Sequence, residues 1–136
     1  MGTADIASGY DSTSYGGTLT VTPGTYTGEM DTDSSYGAGV YIEKALTIEC
    51  SAADHSCILD GENSRRLVYV SDVPSGTTNL IGLKITRGSD SSYGAGIYIR
   101  NSDATITSCL ISDNDAGSRV STLAKCICIH FYSFER

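Results

Sequence analysis

Residues 90–111, DSSYGAGIYIRNSDATITSCLI, contain the pattern that decides the fold. A second copy, DSSYGAGVYIEKALTIEC, begins at Asp33, and a weaker one, STSYGGTLTV, begins at Ser12. Within each copy apolar and polar residues alternate, which is the period of a strand with one buried face. No window has a convincing helical period. Self-similarity of this kind predicts a protein built from repeated short strands.

The apolar residues of the copies fall into three columns. The first column contains Val40 and Ile42, Val68 and Val70, and Ile97 and Ile99, with Leu19 and Val21 at its start; the second contains Leu46 and Ile48, Thr78 and Leu80, and Ala104 and Ile106; the third contains Cys57 and Leu59, Leu83 and Ile85, and Cys109 and Ile111. Val40, Val68 and Ile97 are separated by 28 and then 29 residues. Strands stacked in parallel at about 4.8 Å would wind as a coil. We therefore predict an all-β fold, a right-handed parallel β-helix (a solenoid) of about three to four short coils.

Five segments of the chain resemble the sequences of a known family: TVTPGTY (20–26), CILDG (57–61), LIGLKITRG (80–88), GAGIYI (94–99) and ATITSCLISDN (104–114). They resemble the pectin-lyase-like right-handed parallel β-helix superfamily, and most of all the repeat regions of polymorphic outer-membrane and other surface-exposed β-helix proteins. The resemblance covers about residues 18–116. It implies the coil and export from the cell. It implies no particular activity, because the matching residues are those that build the coil.

The chain divides by composition into three parts. These are residues 1–17, interpreted as a linker or N-terminal edge, residues 18–116, the β-helix repeats, and residues 117–136, an atypical tail. Within the repeats, Pro23 and Gly24 predict a turn. The tail lacks the turn glycines of the repeat, so it is either a cap, with a strand around residues 126–131, or a non-native continuation of a truncated gene. We favour the second interpretation.

Charge and hydropathy limit the partners and the location. The formal net charge is −7 over 136 residues. No basic stripe is present to neutralise phosphates, so nucleic acid and anionic membrane surfaces are not expected partners. No apolar run could span a bilayer, and the first residues lack the basic and apolar regions of a signal peptide. Because the resemblance implies export, we expect a fragment of an extracellular or cell-surface protein, without membrane insertion.

Tyr41, Tyr69 and Tyr98 alternate with the first column and should face outward. A ladder of exposed rings could stack sugar rings, which makes these tyrosines the candidate ligand-binding residues. The alternative is that they stabilise the stack through pairs within one column.

Cys50 and Cys57 flank a short insertion between two predicted strands. They could form a disulfide if their Cα atoms come within about 7 Å. In an exported protein the two could pair, whereas in a cytosolic protein they would be free buried thiols.

No cofactor or metal site is assigned. Two aspartate pairs could hold calcium, although solvated turns are the simpler interpretation: Asp31 with Asp33, and Asp113 with Asp115. The Cys126-x-Cys128-x-His130 cluster lacks a standard zinc spacing.

No catalytic residue is assigned either. The resembling polysaccharide-cleaving enzymes use a calcium-held carboxylate cluster with an arginine base, or paired aspartates. Their diagnostic strings are absent from this sequence. Asp60, Arg65 and Arg87 could approach one another on one flank, although Asp60 more simply ends a strand.

Two functions are therefore predicted. The first is a non-catalytic surface or secreted module for adhesion or glycan contact, with a polysaccharide or a cell-surface glycan as partner. The alternative is the N-terminal fragment of a polysaccharide lyase, epimerase or hydrolase of the same superfamily. Fold does not choose between them. Ice binding ranks third, because flat Thr-x-Thr ladders in register are not evident.

Overall fold

The structure, a computed structural model, describes residues 4–27, 38–89, 94–115 and 129–132. Within these ranges most residues are in strands, and a single helix, α1 (Ala4–Ser12), precedes them. The strands are β1 (Thr18–Val21), β2 (Gly24–Tyr26), β3 (Ala38–Ile42), β4 (Thr47–Cys50), β5 (Cys57–Asp60), β6 (Arg66–Ser71), β7 (Thr77–Ile81), β8 (Leu83–Thr86), β9 (Ile97–Arg100), β10 (Asp103–Thr107), β11 (Leu110–Ser112) and β12 (Ile129–Tyr132). The prediction of a fold made mainly of short strands is confirmed.

Successive strands enter three parallel sheets in turn. In the described part of the chain, sheet A has the order β1-β4-β7-β10, sheet B has β2-β5-β8-β11, and sheet C has β3-β6-β9-β12. We call each set of three successive strands a tier, so the chain visits sheets A, B and C once per tier. In sheet C, Val68 pairs with Val40 on one side and with Ile97 on the other, as the predicted repeat requires.

The second and third predicted columns are also confirmed from the second tier onward. Leu80 lies between Ile48 and Ile106 in sheet A, and the strands of sheet B pair with the register of the third column. Side chains from all three sheets meet in one buried cluster, which includes Ile42 and Ile85. Each fully buried aliphatic side chain of this kind stabilises the fold by roughly 1.5–3 kcal/mol.

The first tier differs from the predicted columns. The sequence pattern puts Leu19 and Val21 in the first column, but β1 lies in sheet A, where these residues pair with Ile48 and Cys50. That prediction is wrong because it depended on the glycines before β1, which resemble the Gly-Ala-Gly before β3. The strand that follows shows which sheet β1 belongs to. Because β2 pairs with β5 in sheet B, and the chain visits sheet A just before sheet B, β1 lies in sheet A.

The segment around Pro23 does more than turn the chain. Gly24 already belongs to β2, so the predicted turn is limited to a bend at Pro23. Tyr26, at the end of β2, is 2% exposed and fills the interior of the first tier. Its hydroxyl donates to Thr22 O at 2.7 Å, which satisfies the polar end of a buried ring.

Helix α1 closes the N-terminal end of the stack, although no helical period is visible in the sequence. Ile6 and Tyr10 are buried in the interior cluster. Lys44 Nζ donates to Tyr10 O at 2.7 Å and lies 4.5 Å from the centre of the Tyr10 ring. A cation at the C-terminal end of a helix is favourable. Residues 1–17, interpreted as a linker or edge, therefore contain a packed helix that is too short for a clear period.

The described part of the tail is a strand of sheet C. Ile129–Tyr132, which is β12, pairs in parallel with β9. Residues 116–128 and 133–136 lie outside the described ranges. The interpretation of residues 117–136 as a non-native continuation stays a prediction.

Candidate functional site

A disulfide holds the corner between β4 and β5. Cys50 and Cys57 are bonded, and their Cα atoms are 5.7 Å apart. The loop between them also contacts a later corner of the stack, because His55 Nε2 lies 2.8 Å from Ser108 O. The loop between β4 and β5 is therefore held by the disulfide at its two ends and by the His55 contact between them.

Tyr41, Tyr69 and Tyr98 lie in one column of sheet C, in a cluster separate from the interior. The ring centres of Tyr41 and Tyr69 are 5.1 Å apart with the planes at 70°. Those of Tyr69 and Tyr98 are 5.0 Å apart and stacked at 24°. The Arg66 guanidinium lies 5.0 Å from the Tyr69 ring centre and 4.8 Å from that of Tyr98. Aromatic pairs and cation–π contacts of this kind stabilise neighbouring strands.

The tyrosine column is covered. Each of the three tyrosines is 8% exposed, and Arg66 is 7% exposed. A sugar ring stacks on an accessible aromatic face, and these rings are instead occupied by one another and by Arg66. The geometry thus favours the structural interpretation of the column over the ligand-binding one.

The corner after β5 contains an ion pair between Asp60 and Arg87. Arg87 Nε donates to Asp60 Oδ1 at 3.0 Å, and Arg87 Nη2 donates to Asp60 Oδ2 at 2.6 Å. The Glu62 N–H donates to Asp60 Oδ1 at 2.9 Å. Arg65 is linked to this group through Glu62, whose carboxylate accepts from Arg65 Nη1 at 3.0 Å. Both Asp60 oxygens are engaged, so the carboxylate anchors the end of a strand.

The Asp60–Arg87 pair should make stability depend on pH. The Arg87 hydrogen bonds, aided by the Glu62 N–H, hold the pKa of Asp60 below its usual value. A carboxylate with a lowered folded pKa adds stability above its unfolded pKa of about 3.9, and that stability is lost as the pH falls through the folded pKa. The Arg87 side chain is 49% exposed, so solvent weakens the pair. We expect Asp60→Asn to lower the free energy of unfolding by about 1 kcal/mol near pH 7 and by much less near pH 2.

Urea unfolding across this pH range measures the difference. Asp113→Asn is the matched control, because Asp113 is exposed and asparagine tolerates its left-handed backbone at φ 58°. A deficit in D60N that is the same at both ends of the pH range would contradict the ion-pair explanation.

The outer surface of sheet A is lined mainly by hydroxyl groups. We call it the hydroxyl face, and its residues are Thr18, Thr20, Thr47, Glu49, Thr77, Asn79, Ile81, Asp103, Thr105 and Thr107. They alternate along the strands with residues of the interior cluster. Asn79 lies between Thr47 and Thr105, and its Nδ2 donates to Thr47 Oγ1 at 3.1 Å. Neighbouring strands are about 4.8 Å apart, so polar groups recur at that interval across the face.

The sequence interpretation missed this face because β1 was assigned to the wrong column. With β1 in sheet A, Thr18 and Thr20 share columns with Thr105 and Thr107. Thr-x-Thr segments therefore stand in register at the two edges of the sheet. The similarity of TLT (18–20) and TIT (105–107) is the signal that could have revealed it.

Comparison of the chain with models of known protein families, with curated proteins and with solved structures gives no match. The resemblance to the pectin-lyase-like superfamily therefore stays a prediction. No helix in the described ranges is long and apolar enough to cross a membrane.

No metal site was assigned from the sequence, and calcium binding by the two aspartate pairs stays an untested alternative. Among the side chains that the structure describes, no three His, Cys, Asp or Glu residues are grouped to hold an ion. Asp113 and Asp115 are exposed beyond β11. Four other residues weighed as ligands lie outside the described ranges: Asp31, Asp33, Cys126 and Cys128.

Proposed function

We propose that this chain is a right-handed parallel β-helix module of an exported protein, and that it binds a neutral polysaccharide or cell-surface glycan without cleaving it. The passage of the chain through three parallel sheets in turn supports the β-helix. The strong preference of parallel crossovers for one hand supports the right-handed coil. The disulfide between Cys50 and Cys57 supports an oxidising, extracellular location.

The hydroxyl face carries the binding proposal. Six of its ten side chains are threonines, Asn79 adds an amide, and none is cationic. Threonine hydroxyls and asparagine amides donate and accept hydrogen bonds, as sugar hydroxyls do. A glycan laid across the strands would meet an equivalent row about every 4.8 Å. Glu49, Asp103 and the net charge of −7 would repel an acidic polymer, so the ligand is a neutral one.

The absence of cleavage is proposed from the state of Asp60. A general acid or base must be free to exchange a proton with the substrate. Asp60 is the carboxylate that the sequence analysis expected near Arg65 and Arg87. Both of its oxygens accept hydrogen bonds, from Arg87 and from the Glu62 N–H, so it is not free to act as a general acid or base.

Binding to a panel of neutral and acidic polysaccharides tests the proposal. Thr47→Lys places a long charged side chain in the middle of the hydroxyl face. Thr25→Lys makes the same change at an exposed position of sheet B and is the matched control. We expect neutral glycans to bind the unmodified protein and T25K alike, and T47K to lose affinity by about tenfold or more.

Three other results would contradict the proposal. Equal losses in the two variants, or binding restricted to acidic polymers, would remove the hydroxyl face as the site. Release of unsaturated oligosaccharides or new reducing ends would favour the alternative function, a fragment of a polysaccharide lyase, epimerase or hydrolase.

A further inference from the structure

The tyrosine column of sheet C brings oxidisable phenol rings into contact. Tyr69 is its middle member, with its ring centre 5.1 Å from that of Tyr41 and 5.0 Å from that of Tyr98. Tyr41 and Tyr98 belong to strands two places apart, which separates their main chains by about 9.6 Å. Of the three rings, Tyr69 therefore lies next to both others, and the outer two are not neighbours.

Parallel pairing places equivalent atoms of these side chains opposite one another. Tyr69 pairs in register with Tyr41 on one side and with Tyr98 on the other. The three side chains thus leave the same face of the sheet, and their Cε carbons, next to the hydroxyl groups, lie at similar heights above it. The torsion that turns a tyrosine ring has broad minima, so small rotations can bring the edges of neighbouring rings together.

Burial of the column favours a reaction within one chain over a reaction between chains. Each tyrosine is 8% exposed, and the Arg66 guanidinium lies within 5.0 Å of the ring centres of Tyr69 and Tyr98. A radical formed on one of these rings is shielded from water and from other molecules, which suppresses side reactions. A second phenol is already in contact, so coupling needs no diffusional encounter.

We propose that the tyrosine column is a site of oxidative cross-linking, in which Tyr69 forms a dityrosine with Tyr41 or Tyr98. The co-reactant is hydrogen peroxide, used by a haem peroxidase. Each of the two tyrosines gives up one electron and its phenolic proton, and the peroxide takes both electrons and both protons to become two water molecules. The two phenoxyl radicals then join through a bond between their Cε carbons. The hydrogens on those two carbons move to the oxygens as protons, which restores both hydroxyl groups.

The product would tie neighbouring tiers together covalently. A bond from Tyr69 to Tyr98 closes a segment of 29 residues, and a bond from Tyr69 to Tyr41 closes one of 28. Cross-links of this kind stabilise a fold by restricting the unfolded chain. We therefore expect the cross-linked protein to unfold at a higher urea concentration than the unmodified protein. This proposal does not depend on glycan binding.

Tryptic mapping after treatment with peroxidase and hydrogen peroxide tests the proposal. Cleavage after lysine and arginine separates the three tyrosines into residues 1–44, 67–84 and 88–100, and Tyr69 is the single tyrosine of the middle peptide. We expect a monomeric product with dityrosine fluorescence and a mass lower by two hydrogen atoms. Its digest should contain 67–84 joined to 1–44 or to 88–100.

Conservative variants identify the rings that react. Tyr69→Phe keeps the ring in the column but removes the hydroxyl that oxidation requires, so it should abolish the cross-link within the chain. Tyr41→Phe and Tyr98→Phe should each lose one of the two linked peptide pairs and keep the other. Tyr15→Phe removes a tyrosine that is 66% exposed and is the control, in which the yield should not change.

Three results would overturn the proposal. The first is a dityrosine within the Y69F chain. The second is oxidation of the exposed Tyr15 while the peptide 67–84 stays unlinked, because the oxidant would then be active and the column inert. The third is an equal yield of linked 67–84 from protein unfolded in urea, since the contact in the folded column would then contribute nothing.

Discussion

Gly88→Ala should destabilise the protein by about 3 kcal/mol or more, because the site has no room for a methyl group. A Cβ on Gly88 would overlap the Ala95 carbonyl oxygen and would lie 2.8 Å from Asn114 Oδ1. The Ala95 carbonyl accepts the Leu67 N–H at 3.0 Å, so its displacement weakens the pairing of sheet C. Asn114 is 1% exposed and joins two parts of the main chain, with Oδ1 accepting from Gly88 N at 2.7 Å and Nδ2 donating to Ile85 O at 3.1 Å.

Urea unfolding followed by circular dichroism measures this loss. Ser89→Ala is the adjacent control, since it removes only a partly exposed hydroxyl and should change stability by no more than about 0.5 kcal/mol. A loss below about 1 kcal/mol in G88A would mean that the corner relaxes easily, contrary to the tight packing described.

Leu80→Ala should cost about 2–5 kcal/mol, the range for truncating a fully buried leucine. Leu80 is 0% exposed and lies between Ile48 and Ile106 in sheet A, with side chains of all three sheets around it. The rigid pairing of β7 on both sides limits how far the surroundings can collapse into the cavity, so a value in the upper half of the range is expected.

The same truncation at Leu110, which is 44% exposed, provides the comparison for Leu80. Thermal and urea unfolding of both variants measures the difference. Leu110→Ala should change stability by no more than about 0.5 kcal/mol. Similar losses in the two variants would be incompatible with an interior enclosed by the three sheets.

The strands from β3 to β11 could be predicted because their signals are local and repeated. Alternation identifies the buried side of each strand, and the 28- and 29-residue intervals after Val40 and Val68 fix which strands pair. The first tier could not be predicted in the same way. The two glycines before β1 resemble the glycines before β3, which belongs to a different sheet. Helix α1 buries too few residues to produce a visible helical period.

The candidate sites show a second limit of sequence reasoning. The column of Tyr41, Tyr69 and Tyr98 follows from register, but its burial depends on what packs over it, and Arg66 lies outside that column. The contact between Asp60 and Arg87 was expected as a proximity, but the bidentate geometry depends on backbone angles at the corner, where Arg87 has φ 57°. The hydroxyl face could not be predicted from the sequence, because the column pattern assigned β1 to sheet C instead of sheet A.

The parallel pairing of each strand with its equivalent in the next tier has a mechanical consequence. The hydrogen bonds of all three sheets run along the axis of the stack, so tension between its ends acts on them directly. Each tier touches mainly its neighbours, so tiers can detach one after another. A detached repeat of 29 residues, as between Val68 and Ile97, extends to roughly 100 Å when taut. Under load the molecule would therefore lengthen in discrete increments and dissipate work at each one.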